Sequence, residues 1–370
     1  MTFKNITNCL SIIVLSLMFA LPVMASTEHS ESHEEEKFNV SEMIMHHIKD
    51  AHEWHLWGGH GNSTSIYLPI ILVDEGLHVF SASHFYHGEH RSAVDSKTGE
   101  KVDYVAGVGP AAAYAMFHEK IYKMEHGELH FEEGHVHGAV KPLDLSLTRN
   151  VAFMLIASLI LVLIMFSVAK YYRKNGAVSP KGIAKFIEPL IVFVRDDIAK
   201  EHINEHKYQR YLPYILTVFF FILICNLLGS VPLIGTNLTG NITVTMFLAV
   251  CTLLLTVLSG NKAYWKHIFW PPGVPIALMP IMIPLEIIGI FTKPFALMIR
   301  LFANITAGHI IVLALVSIIF INKNLGWAGL SVPMTLFISV LELLVAFLQA
   351  YLFALLSALF IGAAVEEHHH

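Results

Sequence analysis

The last two apolar stretches of the chain keep very few charged side chains, and their types suit proton exchange around a fixed cation. Arg300 is the only Asp, Glu, Lys or Arg between residues 294 and 322, and Glu342 is the only one between residues 324 and 365. An ionisable group at the centre of a bilayer costs at least ~2.5–3.5 kcal/mol, so such a residue is a functional candidate by default. Carboxylates and histidine exchange protons near physiological pH, whereas a guanidinium keeps its proton. A proton relay on either side of Arg300 would therefore stop there.

Helical spacing groups the polar side chains around Arg300 on one face. Glu286, Lys293 and Arg300 follow one another at intervals of seven residues, and Asn304 comes one turn later. At about 1.5 Å per residue, Glu286 lies ~21 Å from Arg300 toward one end of the helix, and His309 lies ~13 Å toward the other. Titratable groups thus lie on both sides of one permanent cation.

The final apolar stretch carries a second polar pair at the same spacing. Glu342 and Gln349 are also seven residues apart and share a helix face. If the two helices are antiparallel, Glu342 approaches His309 and Gln349 approaches Arg300. Passage of a proton beyond Arg300 would then need a separate mobile carrier, such as a partner carboxylate, which the guanidinium would favour in its ionised form.

The composition indicates that these residues belong to a polytopic membrane protein. The chain has 370 residues, a formal net charge of −5, 55% hydrophobic and only 14% charged residues, and a mean hydropathy of +0.58. Soluble domains carry about 25% charged residues, and several apolar runs here reach the ~20 residues needed to cross a bilayer. A soluble enzyme, a disordered tail and a basic nucleic-acid binder are excluded. Three cysteines are too few for a disulfide framework or a structural zinc site.

The sequence predicts an all-α membrane domain over residues 149–370 with five transmembrane segments. The segments are Val151–Ala169, Leu212–Val231, Ile242–Leu258, Ile276–Ile321 and Val332–Ala364. The last two exceed a simple span, which predicts strong tilt or a break at proline. Phe186–Ile203 is too charged to span and is predicted to be a helix at the cytoplasmic interface. Basic clusters at 170–174 and 262–267 mark the cytoplasmic side.

The region before the first span divides into two parts. Residues 1–25 are predicted to be a signal peptide, because the apolar run from Leu10 to Leu21 is too short to span; an uncleaved anchor is the alternative. Residues 26–148 form a polar extracytoplasmic extension that holds 16 of the 23 histidines.

The extension shows β-turn signals and histidines at short intervals. Apolar runs around residues 74–76 predict a hairpin, and residues 95–99 predict a second turn, so the extension contains some β structure. The histidines at ligand-like spacing are His52, His55, His84, His87 and His90. No cysteine supports them, so solvated surface histidines are favoured over a metal site.

One segment of the membrane domain resembles a known family. Lys293–His309, KPFALMIRLFANITAGH, is similar to the signature of subunit a of the F-type ATP synthase membrane sector, and its Arg-Leu-Phe-x-Asn-x-x-Ala-Gly pattern is highly specific. Asn226–Pro232, Leu348–Tyr351 and Glu366–His368 also resemble that family. The resemblance covers roughly residues 145–368, and it favours native terminal histidines over a purification tag.

The resemblance assigns roles to the polar residues. Arg300 would be the essential arginine that faces the carboxylates of the rotating c-ring, with Asn304 and Gln349 beside it. The access paths would be lined by Glu286 on the cytoplasmic side and by His309, Glu342 and Asn226 on the outer side. Gly229 stands where some relatives have an aspartate, so the outer path would have to work without that group.

The resemblance therefore implies a non-catalytic proton-channel stator subunit of an F-type ATP synthase, without cofactor or metal. Expected partners are c-ring subunits, peripheral-stalk b subunits and membrane lipid, with no nucleic acid. The expected location is a bacterial inner membrane, with a periplasmic extension and a cytoplasmic C-terminus. His309 and Glu342 favour protons over sodium.

Two other classes of membrane protein remain as alternatives. A proton-coupled secondary transporter or metal exporter, fed by the extension, usually carries internal repeats with paired broken helices, and the sequence has no such repeat. A haem-binding membrane subunit would need paired histidines within the spans, and only His309 lies inside one.

Overall fold

The structure is a computed structural model of the chain. It describes residues 50–57, 64–124, 127–176, 178–231, 238–270, 275–322 and 325–366. The predicted signal peptide and the terminal histidines lie outside the described residues.

The described part of the extension is built from short strands. These are β1 (Glu53–Trp57), β2 (Thr64–Tyr67), β3 (Pro69–Val73), β4 (Leu77–Ser81), β5 (Glu89–Val94), β6 (Lys101–Ala106), β7 (Tyr114–Phe117), β8 (Lys120–Lys123), β9 (His130–Glu132), β10 (His135–His137) and β11 (Leu143–Asp144), with the short helix α1 (Ser83–Tyr86) after β4. The predicted β content of the extension is therefore confirmed.

Antiparallel pairing organises the strands into small sheets. One sheet has the order β11-β3-β4, another has the order β5-β6-β7-β8, and β1-β2 and β9-β10 form separate pairs. The predicted hairpin is confirmed, because β3 and β4 pair from Pro69–Ser81 to Val73–Leu77 around residues 74–76. The second predicted turn is also present between β5 and β6, where Asp95 Oδ1 accepts hydrogen bonds from the backbone N–H groups of residues 97 and 98.

Within the described ranges, five helices are long and apolar enough to cross a membrane, as predicted. They are α2 (Arg149–Asn175), α4 (Tyr208–Gly229), α5 (Ile242–Ser259), α7 (Met279–Asn322) and α8 (Ala328–Val365); the shorter α3 (Ala184–Phe193) and α6 (Lys262–Phe269) lie between them. Helix α2 begins after Thr148, whose side chain accepts from Val151 N–H. Asn241 and Asn261 cap α5 and α6 in the same way.

The last two spans are continuous helices. Helix α7 has 44 residues and runs through Pro284 and Pro294, and α8 has 38 residues and runs through Pro333. At about 1.5 Å per residue both are well over the ~30 Å of a hydrocarbon core. The sequence left two arrangements open, strong tilt or a break at proline. Neither helix is broken at its prolines.

The charged segment after α2 is helical over most of the range predicted. Helix α3 continues into a π-helix over Val194–Lys200. The Tyr172 hydroxyl of α2 donates a 2.5 Å hydrogen bond to Glu188 Oε2 of α3, which joins the two helices.

The core of the membrane domain lies between α4, α8 and this π-helix. Ile198, Phe219 and Ala354 are fully buried there. At Gly362 an added Cβ would overlap the carbonyl oxygen of His202, so the two backbones touch. Small residues allow such close approach inside a membrane.

Candidate functional site

A histidine and a carboxylate meet between the last two helices. His309 Nδ1 of α7 lies 3.6 Å from Glu342 Oε1 of α8, and the Glu342 side chain is only 8% exposed. The predicted approach of these two residues is therefore present. Among the described residues, Glu342 Oε1 has no hydrogen-bond partner. The pair can take up or release a proton, because the His309 ring nitrogen lies beside this unpartnered carboxylate oxygen and both groups titrate.

Gly308 makes room for this pair. A Cβ added at Gly308 would lie 3.3 Å from Glu342 Oε1. The carboxylate therefore packs against the bare backbone of α7. Sequence reasoning missed this steric role, since only the packing of α8 on α7 reveals it.

The register of the two helices places Arg300 and Gln349 at one level. Ser331 Oγ donates to the carbonyl of Leu315 near the start of α8, and Glu342 meets His309 farther along, so the helices are antiparallel. Counting ~1.5 Å per residue from that pair brings Arg300 and Gln349 within ~3 Å in height.

The two side chains nevertheless face different surroundings. Gln349 is buried, with 2% of its surface exposed, whereas Arg300 and Asn304 are exposed on α7. Within the described part of the chain, no hydrogen bond or ion pair engages the Arg300 guanidinium. Gln349 and Arg300 thus lie at the same height along the two helices, as predicted. Within the described residues, however, no hydrogen bond joins their side chains.

Asn226 joins α4 to the same side of α8. It is 3% exposed, and its Nδ2 donates to the Ala346 carbonyl at 3.3 Å, one turn along α8 from Glu342. Its Oδ1 accepts a 2.7 Å hydrogen bond from Thr239 Oγ1. Thr239 was missed by sequence reasoning, because a hydroxyl in an uncharged loop gives no signal. The structure thus brings Asn226, Thr239 and the His309–Glu342 pair into one region.

Glu286 lies at the other end of α7, near α6. Burial, and next the charge of Glu286, raise the pKa of the Tyr264 hydroxyl above its usual range. Lys293 Nζ lies 5.7 Å from the centre of the Phe360 ring, a cation–π contact with α8. Thr256, Tyr264 and Lys293 line a cavity of ≈ 20 Å³, about the size that holds one water. Tyr264 had no distinguishing feature in the sequence.

The described histidines of the extension do not assemble into a metal-ligand set. Within the described ranges, no three His, Cys, Asp or Glu side chains come together in a way that could hold a metal ion. The expectation of solvated histidines is wrong for His52, which is 2% exposed. Its ring nitrogens lie 3.7 Å from Glu119 Oε2 and 3.9 Å from Asp144 Oδ2, two residues from distant parts of the sequence.

These observations define a class: a multi-pass α-helical membrane protein with a histidine–carboxylate pair between its last two spanning helices and an arginine exposed beside them. Residues 151–362 match the family model of the ATP synthase A chain. The chain belongs to that family. Residues 43–145 match a separate model, described as a domain of unknown function (DUF8433).

Relatives named ATP synthase subunit a share much of the chain. The one from Chloroherpeton thalassium is 51% identical over 231 residues, covering 61% of this chain and 69% of the relative. The one from Myxococcus xanthus is 47% identical over 234 residues, covering 62% and 76%. The one from Chlorobium phaeobacteroides (strain DSM 266) is 42% identical over 305 residues, covering 80% and 83%. That last alignment is too long for residues 149–370 alone, so it includes part of the extension.

Proposed function

We propose that this chain is the proton-channel stator subunit of an F-type ATP synthase, carrying protons through two offset half-channels to and from carboxylates of a rotating c-ring. One observation carries the proposal: the His309–Glu342 pair, whose carboxylate is buried, and Glu286 lie on opposite sides of the exposed Arg300 along α7. Nucleotide chemistry belongs to other subunits. A secondary transporter or metal exporter is not favoured, because the chain belongs to the ATP synthase A chain family.

Arg300 acts as the barrier between the two half-channels. Its guanidinium does not release a proton. Its exposed position leaves the charge available to a ring carboxylate. Two opposite unit charges ~4 Å apart attract by about 4 kcal/mol at an effective dielectric of about 20. A protonated ring carboxyl that reaches Arg300 therefore gives up its proton there and cannot carry it straight across. Asn304 and Gln349 help to position this contact.

The outer half-channel runs through the region where α4, α7 and α8 meet. His309 and Glu342 exchange the proton, and Asn226 holds α4 beside them through its bonds to Thr239 and the Ala346 carbonyl. The same His–carboxylate chemistry favours protons over sodium. Gly229, where some relatives have an aspartate, adds no group to this path.

The cytoplasmic half-channel begins at Glu286. Tyr264 lies close enough for its pKa to respond to the Glu286 charge, so it joins Glu286 at this entrance. Lys293 packs on Phe360 and serves the structure of the entrance, not proton transfer.

The proposed topology has the extension in the periplasm and the C-terminus in the cytoplasm of a bacterial inner membrane. Residues 1–25 are the signal peptide, 26–148 the extension and 149–370 the membrane domain. Helix α3 and the following π-helix lie at the cytoplasmic interface, consistent with their charges, and the basic segments at 170–174 and 262–267 lie on the same side. Partners are the c-ring, the peripheral-stalk b subunits and lipid, and no nucleic acid.

The test is ATP-driven proton pumping by membrane vesicles that contain the assembled complex. Moving one proton across the membrane stores about 2.3 kcal/mol per 100 mV of membrane potential. Protons that leak straight through lose this energy, so Arg300→Ala is expected to abolish pumping. Gly289→Ala, on the same helix and with open space around the added Cβ, is the matched control and is expected to pump. Normal pumping by an assembled Arg300→Ala complex would refute the proposal.

A further inference from the structure

A short buried turn directly precedes α5. The Asn241 N–H donates to the Leu238 carbonyl at 3.1 Å, which closes residues 238–241 into one turn. Leu238 is 1% exposed and Thr239 is 2% exposed. Connecting segments normally run over the protein surface, because their polar groups can then bond to water. A buried turn must find its partners within the protein, and the 238–241 turn finds them on several helices.

Thr239 connects this turn to α4. Its Oγ1 donates to Asn226 Oδ1 at 2.7 Å, and Asn226 Nδ2 donates to the Ala346 carbonyl of α8. The side-chain amide of Asn226 is therefore held from both ends, with its oxygen toward the turn and its nitrogen toward α8. Removal of the Thr239 hydroxyl would take this donor from a buried acceptor, which costs more than the loss of an exposed hydrogen bond.

The next two residues connect the turn to α7 and α5. Thr306 Oγ1 lies 3.5 Å from the Gly240 carbonyl oxygen, the long limit of a hydrogen bond. Thr306 is three residues before His309 and shares its face of α7. Asn241 Oδ1 accepts from the Thr243 N–H at 2.9 Å and caps α5. The turn thus contacts α4, α5 and α7, and two of these helices line the outer half-channel.

The extension supports the turn from the opposite side. Trp54 of β1 packs against a buried cluster that contains Phe153, Cys225 and Leu238. Leu238 directly precedes Thr239, and Cys225 directly precedes Asn226. The cluster therefore lies behind both partners of the Asn226–Thr239 hydrogen bond, and Trp54 is the part of it that the extension contributes.

Trp54 is itself held in place over the start of α2. Its strand pairs with β2, where Trp54 lies opposite Ile66. Just before β1, the Ala51 carbonyl accepts from the Arg149 N–H at 2.9 Å, and Asp50 Oδ1 accepts from the Asn150 N–H at 3.1 Å. A large aromatic ring on a strand fixed in this way gives extensive contact at a low cost in conformational entropy.

We propose that Trp54 is a positioning residue of the outer half-channel. It holds the 238–241 turn against α2 and α4, so that Thr239 presents its hydroxyl to Asn226 and α4 stays beside Glu342. The extension thereby gains a role, which is to fix the geometry of the outer path. This inference rests on the proposed function, because it assigns the extension a part in that half-channel.

The first test follows the turn itself by hydrogen–deuterium exchange of the full chain in lipid nanodiscs. The amides to follow are those of Asn241, which donates to the Leu238 carbonyl, and Thr243, which donates to Asn241 Oδ1. Trp54→Ala is expected to lower their protection about fivefold, the scale on which contacting residues are coupled. This readout does not depend on proton conduction.

The second test is a double-variant cycle, measured as passive proton conduction through vesicles that contain the assembled membrane sector. Thr239→Val removes the hydroxyl and is expected to lower conduction about tenfold, and Trp54→Ala is expected to lower it about fivefold. Because Trp54 acts through Thr239, the double variant should conduct as Thr239→Val does. Independent effects would multiply to about fiftyfold. If Trp54→Ala does not assemble, Leu238→Ala removes the same contact from its other side and replaces it in both tests.

Phe131→Leu is the matched control for general loosening of the extension. Phe131 is buried in a separate cluster with Tyr104 and Phe117, so its truncation should leave the turn and the conduction unchanged. A wild-type sector that conducts no protons would refute the proposed function and this inference with it. If the wild type conducts, the inference alone is overturned by unchanged protection of Asn241 in Trp54→Ala, by a fiftyfold loss in the double variant, or by equal losses in Phe131→Leu.

Discussion

Replacement of Gly308 by alanine is expected to slow proton conduction without preventing folding. The new Cβ would lie 3.3 Å from Glu342 Oε1 and 3.5 Å from both Cγ and Cδ of the same side chain. Such a contact is tighter than ordinary packing, so the Glu342 side chain must move by a few tenths of an ångström. Since His309 Nδ1 is already 3.6 Å from Oε1, beyond a normal hydrogen-bond length, a further shift weakens proton sharing.

The size of the effect follows from two opposed contributions. Overpacking in a filled interior costs about 1–3 kcal/mol, and alanine in place of glycine within a helix returns about 0.5–1 kcal/mol. The difference is a net cost of up to about 2.5 kcal/mol, centred on about 1–2 kcal/mol. This cost falls on the proton-sharing geometry, because the Glu342 side chain can move and the helix backbone cannot. A cost of that size corresponds to a decrease in conduction of about 5–30-fold.

The assay is passive proton conduction through vesicles that contain the membrane sector, followed with a pH-sensitive dye. Gly289→Ala is the matched control, since it lies on the same helix and its added Cβ meets nothing within 4 Å. It should conduct as the wild type does, while Gly308→Ala should assemble normally and conduct slowly. Equal conduction by the two variants would refute a role for Glu342 packing in the outer path.

Two further predictions concern stability. Gly362→Ala is expected to lower the Tm of the detergent-solubilised chain, because its Cβ would overlap the backbone carbonyl of His202, at a cost of about 1–3 kcal/mol. Gly329→Ala, which meets open space on the same helix, should leave the Tm unchanged or raise it slightly. Backbone N–H groups, that of Gly134 foremost, hold the pKa of Asp95 far below its usual value. The stabilisation from Asp95 is therefore full above about pH 4 and is lost as the pH falls through the depressed folded-state pKa. Asp95→Asn should reduce the amide protection of Gly134 at neutral pH, and the wild type should approach the variant only in strong acid.

The lengths of the apolar runs were sufficient to predict the five spanning helices of the membrane domain, whereas the short α6 helix was expected to be a basic loop. An apolar run of about 20 residues has few alternatives in a bilayer, where each backbone polar group must be bonded within its own segment. The heights of Arg300 and His309 on α7 follow from the helix rise. The position of Glu342 opposite His309 follows because a short connection between two antiparallel helices fixes their register. The β3–β4 hairpin was predictable for the same reason, since its partners are adjacent in sequence.

The tertiary structure decided which uncharged residues belong to the site. Thr239, Tyr264 and Gly308 have common side chains and no distinctive spacing, so they acquire a role only where another helix or loop packs on them. The continuity of α7 through its prolines was also undecided, because it depends on contacts with neighbouring helices.

The extension shows most clearly the difference between what the sequence predicts and what only the tertiary structure determines. Its histidines could be counted in the sequence, but nothing local distinguishes His52 from His90, and solvation was expected for both. Glu119 and Asp144 reach His52 from 67 and 92 positions away, brought there by the β7–β8 turn and by β11. Local spacing therefore determined the helices and the isolated Arg300 of this protein, whereas burial and charge pairing, which need side chains distant in sequence, were determined only by the fold.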